Sequence, residues 1–309
     1  MCYLSSLTNT VLLIVIYRND NLRHGCGILI IHYLIARTVS CTFVSVFNGI
    51  LQQTALPPVY CKVQMYCQFF LRYAADWIES LVAVNRMMAL SMPHHYRRMA
   101  TEKVTNISAL AMWVFSALWA LPGSFDLGVQ YVRNPYGTCV FDQRGNFGRM
   151  LFFIGFYLPL LIGAVCYGVI YVQLIWRKMA GTSITGGITR TLHQRRVRMA
   201  NTMFAAFVWT VVCYLPLPVV AVAAPTSTFK YPLMPMWLSF VLFFGYMTTP
   251  IVFCAMNAEY RQGVIQMYTR SPFTQKVHPM DMTAFYRSRR SRSESQKKAD
   301  TDLESCIGF

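Results

Sequence analysis

Residues 61–86 read CKVQMYCQFFLRYAADWIESLVAVNR, an apolar stretch that carries Arg72, Asp76, Glu79 and Arg86. At about 100° per residue, these four ionisable side chains fall within about 80° of one another on a helix. A charge that faces lipid is costly, so this charged stripe should face a protein interior or a wet cavity. Such stripes occur in membrane proteins that transport, conduct or switch, and the rest of the chain has to decide between these functions.

The composition of the whole chain indicates an integral membrane protein. Of its 309 residues 55% are hydrophobic and 13% are charged, whereas a soluble domain carries about a quarter charged residues. The net charge of +16 does not predict a nucleic-acid partner, because the basic residues cluster in short loops and a tail, as the positive-inside rule expects. The sequence contains no Cys/His cluster with metal-ligand spacing and no convergent nucleophile–base pair, so we predict no cofactor, no metal and no enzyme activity.

Window length predicts seven apolar segments, at residues 3–17, 28–51, 58–90, 106–122, 149–176, 199–223 and 233–256. The third is recognised only if its charged stripe is allowed. The first is short for a span of roughly 20 residues, so we expect a truncated first helix that continues upstream of Met1. The predicted fold is an all-α membrane protein, a seven-transmembrane helix bundle.

The predicted organisation has three parts. Residues 1–256 form the seven-helix domain, and 257–270 form an amphipathic helix on the membrane surface, because apolar residues recur there at helical spacing. Residues 271–309 are polar, Ser-rich and basic, which predicts a disordered cytoplasmic tail. Residues 181–187 are small and polar, and they predict a flexible connector before the sixth segment.

Loop charges predict the orientation. The loops after the first, third and fifth segments carry most of the basic residues, including Arg97–Arg98 and Arg195–Arg196. These loops should be cytoplasmic in a plasma-membrane protein, with the N-terminus outside and the C-terminus inside. Cys61 and Cys139 then lie on the oxidising side, where a disulfide between them is plausible.

Polar, aromatic and proline landmarks recur along the segments in a fixed order. They are Asn9, Cys61, Asn85-Arg86-Met87, Trp113, Pro122, Cys139, Pro159, Tyr167, Cys213-Tyr214-Leu215-Pro216, Thr249-Pro250-Ile-Val-Phe253 and Tyr260. In order and spacing the chain resembles the rhodopsin-like (class A) G-protein-coupled receptors over nearly all of residues 1–270. Stretches such as Val82-Ala-Val-Asn-Arg86 look somewhat like invertebrate Moody/trapped-in-endoderm-type and melatonin-like receptors.

The resemblance implies a receptor that binds an extracellular ligand and activates a heterotrimeric G protein when the sixth helix moves and exposes Arg86. It implies a G-protein switch formed by Asn85, Arg86, Met87, Tyr167, Pro250 and Phe253. It implies helix hinges at Pro159, Pro216 and Pro250 and a disulfide between Cys61 and Cys139. The implied ligand pocket contains Gln68, Phe69, Arg72, Tyr73, Tyr214, Leu217 and Phe243.

Two positions, one neutral and one cationic, distinguish this pocket from that of the family's amine receptors. Gln68 stands where those receptors carry an Asp, so a cationic amine lacks its usual counter-ion. Arg72 either pairs with Asp76, four residues further along the helix, or faces the ligand and favours an anion. The sequence leaves both alternatives open.

Arg37 is the largest departure from the family pattern. It stands where the family has an Asp that helps bind sodium, and Thr249 replaces the matching Asn, so we infer that the sodium site is lost. A lone buried Arg is costly. We therefore expect a core polar site of Arg37, Asp76, Glu79 and Thr249, in which Arg37 pairs with Glu79 or with Asp76. The alternative is that Arg37 snorkels or that the helix register is shifted.

Parts of the sequence also fit two other functions and several further partners. The departures at Arg37, Asn85, Tyr214 and Thr249 fit a decayed, non-signalling receptor or scaffold. A transporter would use the charges of the third helix, although the chain lacks the internal repeats common in transporters. The tail around residues 287–295 places serines beside arginines, which is typical of kinase sites, arrestin contacts and contacts with anionic membrane lipids.

The pattern around Arg86 yields a prediction about activity without ligand. In the family, the acid beside this Arg restrains it in the resting state, but the neighbour here is Asn85, and the inner end of the sixth segment reads His193-Gln-Arg-Arg196. We therefore expect higher ligand-free signalling than in an Asp-Arg-Tyr receptor, measured with a cell reporter. A signal equal to that of cells without the receptor would contradict this.

Overall fold

The computed structural model describes residues 2–19, 22, 26–53, 58–92, 96, 101–133, 139–143, 145–179, 187–216, 219–220 and 233–269. Leu217 of the expected pocket, residues 181–186 of the expected connector and the tail from residue 270 onward lie outside this description. The chain divides into two compact units, residues 1–267 and 268–309, and only residues 268 and 269 of the second unit are described.

The described part of the chain is mostly helical. Its helices are α1 (Cys2–Arg18), α2 (Cys26–Gln53), α3 (Pro58–Ser91), α4 (Glu102–Ser124), α5 (Gly145–Phe152), α6 (Leu158–Met179), α7 (Gly187–Tyr214), α8 (Leu233–Met256) and α9 (Ala258–Thr269). A π-helical turn, Phe153–Tyr157, joins α5 to α6 into one long helix. The fifth apolar segment is therefore α5 to α6, the sixth is α7 and the seventh is α8.

Helix α3 lies at the centre of the seven-helix bundle. It packs against α2, α4 and α6 and also contacts α7, while α1 packs against both α2 and α8, and α7 packs against α8. The side chains of Arg72 and Arg86 are 7% and 8% exposed, and Asp76 is also buried. The charged stripe of α3 thus faces the protein interior, as the cost of a lipid-facing charge predicts.

Length and composition mark four of the described helical stretches as able to cross a membrane: Cys26–Phe43, Glu102–Ser124, Gly145–Trp176 and Trp237–Met256. Cys2–Arg18 and Ala200–Tyr214 are shorter apolar stretches. Helix α3 does not appear among them, and its charged residues lower its hydropathy. Helix α7 differs from the predicted segment 199–223 in both bounds, because it begins at Gly187, among polar residues, and ends at Tyr214, just before Pro216.

Pro250 leaves a gap in the hydrogen bonds of α8 that α1 fills. A proline has no N–H, so the carbonyl four residues earlier, that of Tyr246, has no helical donor. The Asn9 side-chain amide donates to this carbonyl at 3.0 Å. Nearby, the Ser5 hydroxyl donates to the Phe243 carbonyl at 2.8 Å. The first and last helices of the bundle are therefore joined at the proline.

The other two predicted hinges also coincide with irregular helix. Pro159 follows the π-helical turn, and π-bulges of this kind break the regular ladder of a helix. Within that turn, Gly155 has no side chain, and a Cβ there would collide with the ring of Tyr73 on α3. Pro216 lies just beyond the end of α7 at Tyr214.

A β-hairpin, absent from the all-α expectation, lies between α4 and α5. Strands β1 (Val129–Arg133) and β2 (Cys139–Gln143) pair antiparallel, with Arg133 opposite Cys139. A disulfide joins Cys139 to Cys61 near the start of α3. The hairpin is therefore fixed against the end of the bundle that is opposite Arg86.

The disulfide yields a stability prediction. Cys61→Ala opens a covalent loop with a sequence separation of 78, and loop entropy makes this worth about 4 kcal/mol. We expect Cys61→Ala, Cys139→Ala and the double variant to lower the thermal unfolding midpoint of the purified protein equally, because each breaks the same bond. Cys67→Ala, which changes a free cysteine on α3, is the matched control. Equal midpoints for Cys61→Ala and Cys67→Ala would contradict the prediction.

Candidate functional site

A cavity of about 60 Å³ opens beside the hairpin, between α3 and the helix formed by α5 and α6. Its polar lining consists of Gln68 and Arg72, one helical turn apart on α3. The remaining lining side chains are apolar: Met65, Phe69, Phe141, Phe152 and Phe156. The cavity thus combines a largely aromatic wall with one cation and one amide.

Phe69 holds the aromatic wall together. Its ring meets Phe141 of β2 edge-on at 5.4 Å and Phe152 of α5 edge-on at 5.6 Å, measured between ring centroids. Phe141 and Phe152 also stack on each other at 4.8 Å. Aromatic pairs in these geometries contribute beyond their buried area, so the hairpin, α3 and α5 form one packed unit around the cavity.

Arg72 lies between the cavity and α7. Its Nε donates a hydrogen bond to the hydroxyl of Tyr214, and that hydroxyl donates to the carboxylate of Asp76. The guanidinium also lies over the rings of Tyr214, at 3.6 Å, and Phe156, at 4.9 Å. The sequence left two alternatives for Arg72, a pair with Asp76 or a place in the ligand pocket. The structure shows part of each: the Tyr214 hydroxyl bridges Arg72 and Asp76, and Arg72 also lines the cavity.

Arg37 and Glu79 form an ion pair deeper in the bundle. Arg37 Nη2 lies 3.5 Å from Glu79 Oε2, and the two side chains are 1% and 12% exposed. The Arg37 guanidinium also lies between two aromatic faces, 4.4 Å from the Tyr33 ring centroid and 4.3 Å from that of Tyr246. The cation therefore has one carboxylate and two π faces as its surroundings.

The fourth residue of the expected core polar site has a different partner. The Thr249 hydroxyl donates to the Gly245 carbonyl of its own helix at 2.7 Å. Asp76 is directed to Tyr214 and not to Arg37. Of the two acids considered for Arg37, the structure brings Glu79 into contact with it.

The predicted switch residues gather around Arg86 at the other end of α3. The guanidinium interacts with the Cys26 thiol of α2, which is within hydrogen-bond reach, and electrostatically with Tyr260 on α9, Tyr96 and Tyr167 on α6. Burial raises the pKa of the Tyr260 hydroxyl, so this group stays protonated at neutral pH.

The other residues of the predicted switch each have their own contacts. Phe253 packs edge-on against Tyr260, with ring centroids 5.6 Å apart, and Pro250 is buried one turn before it. Asn85 accepts a hydrogen bond from the Tyr96 hydroxyl at 3.2 Å. Met87 is half-buried against the core.

Of the expected pocket residues, Gln68, Phe69 and Arg72 line the cavity. Tyr73 borders a smaller neighbouring cavity, Tyr214 is buried beneath Arg72, and Phe243 packs edge-on against Tyr246.

Sequence reasoning missed Phe152 and Phe156, although their spacing of four residues on one helical segment marks a common face. Phe141 was also missed, because the unpredicted hairpin brings it to the cavity. At the core ion pair, Tyr33, one turn before Arg37, was missed as well.

Comparisons with known proteins agree with this arrangement. The family model for the 7 transmembrane receptor (rhodopsin family) matches residues 8–253, so the chain belongs to the rhodopsin family of seven-transmembrane receptors. Melatonin receptor type 1A-A of Danio rerio is 24% identical over 270 residues, which cover 83% of this chain and 75% of the relative. Somatostatin receptor type 5 of Rattus norvegicus is 22% identical over 284 residues, covering 85% and 74%.

The fold has a solved counterpart. The crystal structure of squid rhodopsin superposes with a TM-score of 0.74 at 16% sequence identity, and the match covers 86% of this chain and 82% of that one. Membership of this family makes the chain a multi-pass membrane receptor, with a G protein and an extracellular ligand as its partner classes.

The ion pair in the core yields a double-mutant prediction. Removing one partner of a buried pair leaves an uncompensated charge, which costs about 3–5 kcal/mol. We expect Arg37→Met and Glu79→Leu each to lower the thermal unfolding midpoint strongly, and the double variant to lose much less than the sum of the two.

The matched control is the exposed pair of Lys62 and Asp126, which lie 2.5 Å apart with side chains 35% and 38% exposed. Because exposed pairs contribute about 0–1 kcal/mol, Lys62→Met and Asp126→Leu should shift the midpoint little. Strict additivity in the Arg37/Glu79 cycle would sink the assignment of the pair.

Proposed function

We propose that this receptor binds its ligand in the cavity at Arg72 and activates a heterotrimeric G protein when α7 moves about Pro216 and exposes Arg86. The observation that carries the proposal is the contact between Arg72 and Tyr214. Tyr214 is the last residue of α7, two positions before Pro216. A ligand that touches Arg72 therefore acts on the hydrogen bond that holds the break in α7 to α3.

The distance between the two ends of α3 supports a ligand site at one end and a G-protein site at the other. Cys61, bound to the hairpin, and Arg86 are 25 positions apart, which is about 37 Å along a helix. The loops near Arg86 carry the basic residues and the hairpin end carries the disulfide, which fits a cytoplasmic Arg86 and an extracellular cavity. The N-terminus is then outside and the C-terminus inside.

Contacts between α6 and α7 at the inner end fit a covered, resting Arg86. The Tyr171 hydroxyl donates to the Asn201 side chain at 3.0 Å, and Phe204 packs against both Tyr167 and Tyr171. Tyr167 also interacts electrostatically with Arg86. Outward movement of α7 would separate these side chains and open space beside the guanidinium. Population shift between two such states is the mechanism we assign to signalling.

The finer partners belong to the same proposal. Residues 1–256 act as the receptor domain, 257–270 as a helix that lies on membrane lipids, and 271–309 as the cytoplasmic tail. Exposed Ile265 on α9 is suited to contact the lipid surface. The serines beside arginines at 287–295 are suited to phosphorylation by kinases and to arrestin binding afterwards.

The role of Arg86 is tested by guanine-nucleotide exchange on a panel of purified G-protein α subunits. Membranes that contain the wild-type chain should accelerate exchange on at least one of them, and Arg86→Ala should reduce that rate on the order of tenfold or more, because a buried Arg is a typical interface hot spot. Arg149→Ala, at an exposed position on α5, is the matched control and should leave the rate unchanged.

Two outcomes contradict the proposal. A folded wild-type chain that accelerates exchange on no member of the panel would favour the non-signalling receptor or scaffold. Equal rates for Arg86→Ala and Arg149→Ala would remove Arg86 from the switch. Because surface yield is measured on the same membranes, misfolding of a variant is separated from loss of coupling.

A further inference from the structure

Among the residues that the structure describes, no carboxylate lies at ion-pair distance from the buried cation Arg72. It is 7% exposed, and the nearest acid on its own helix, Asp76, is reached only through the Tyr214 hydroxyl. Arg37, the other buried guanidinium described in the centre of the bundle, has Glu79 at 3.5 Å. The two arginines thus share the same apolar core but differ in how their charge is met.

The hydrogen-bonding capacity of Arg72 is also only partly used. Its Nε donates to Tyr214, but its Nη2 is buried and has no hydrogen-bond partner among the described residues. Nε and Nη1 of Arg37 also lack a described partner, so it is the adjoining cavity that distinguishes Arg72. An unsatisfied buried donor costs about 1–3 kcal/mol, and more when the group is charged. The π faces of Tyr214 and Phe156 offset part of this cost but accept no conventional hydrogen bond.

The cavity beside Arg72 is where a partner for this cation fits. Arg72 lines it together with Gln68, and the other walls are apolar and mostly aromatic. Its volume of about 60 Å³ is several times the 10–15 Å³ that one water needs, so it has room for a headgroup and a small apolar body. A guanidinium in such a site selects a carboxylate and repels an ammonium group.

We propose that the cavity binds a small organic carboxylate, whose headgroup is held by Arg72 and whose apolar body lies against Phe69, Phe141 and Phe152. The inference rests on the proposed receptor function and names the chemical class of its ligand. The bound carboxylate competes with the Tyr214 hydroxyl for the guanidinium of Arg72. It thereby loosens the attachment of α7 to α3 next to Pro216.

The test measures binding to the purified receptor in detergent, without G protein. The probes are phenylacetate, benzoate and hexanoate, with phenylacetamide and phenethylamine as neutral and cationic analogues of the first. We expect at least one acid to bind, with phenylacetate on the order of tenfold tighter than phenylacetamide, because only the carboxylate offers the guanidinium an opposite charge and two equivalent acceptor oxygens. Phenethylamine should not bind.

Variants assign the preference to Arg72. Arg72→Gln should abolish the advantage of phenylacetate over phenylacetamide, and Arg72→Lys should keep part of it. Tyr214→Phe removes the competing hydroxyl but leaves the cation, so it should retain or strengthen acid binding. Arg149→Gln, which removes an exposed cation from α5, is the matched control and should bind as the wild type does.

The outcomes separate this inference from the receptor function. Absence of binding by all three acids, equal affinity for phenylacetate and phenylacetamide, or an unchanged preference in folded Arg72→Gln would overturn the inference. The comparison of acid, amide and amine on the wild-type chain stands even if Arg72→Gln does not fold. Exchange activity without acid binding would overturn the ligand class alone, whereas acid binding without exchange on any G protein would overturn the signalling role alone.

Discussion

The burial of two guanidinium groups inside an apolar helix bundle is the constraint on which the rest of this structure depends. An unpaired charge in such surroundings is costly, so each cation fixes the groups around it. Arg37 of α2 forms an ion pair with Glu79 of α3, and its guanidinium lies between the rings of Tyr33 and Tyr246. Three helices, α2, α3 and α8, therefore meet around one ion pair at the centre of the receptor.

The second buried cation, Arg72, has a hydroxyl and not a carboxylate as its hydrogen-bond partner, and this difference determines the chemistry of the site. Arg72 has an aromatic hydroxyl where Arg37 has a carboxylate, and its side chain also lines the cavity. Arg37 is joined to Glu79 of α3 by an ion pair, whereas Arg72 is joined to α7 by one hydrogen bond and also lines the cavity. We therefore expect the inner pair to stabilise the fold and the outer cation to contact the proposed ligand.

The sequence predicts the bundle well and the site only partly, for physical reasons. Length and hydropathy indicate most of the seven segments, the third is recognised only when its charged stripe is allowed, and counting helix positions places Arg37 and Glu79 at similar depth. The insertion of Tyr214 between Arg72 and Asp76 depends on side-chain rotamers, which periodicity does not determine. The hairpin was missed because its register depends on pairing between strands and on the disulfide at Cys139, not on an apolar period.

The helix breaks at Pro250 and Pro216 are held by different hydrogen bonds, and this difference indicates which helix can move. At Pro250 the carbonyl left without a helical donor is taken up by Asn9 of α1, so the bend of α8 is fastened to a neighbouring helix. At Pro216 the helix ends at Tyr214, and the tie to α3 is a side-chain hydrogen bond to Arg72. A backbone carbonyl bonded to a fully buried amide has no competitor, whereas the Tyr214 hydroxyl shares Arg72 with whatever fills the cavity. Movement of the bundle is therefore expected at α7, because that is where the same guanidinium serves both the cavity and the helix break.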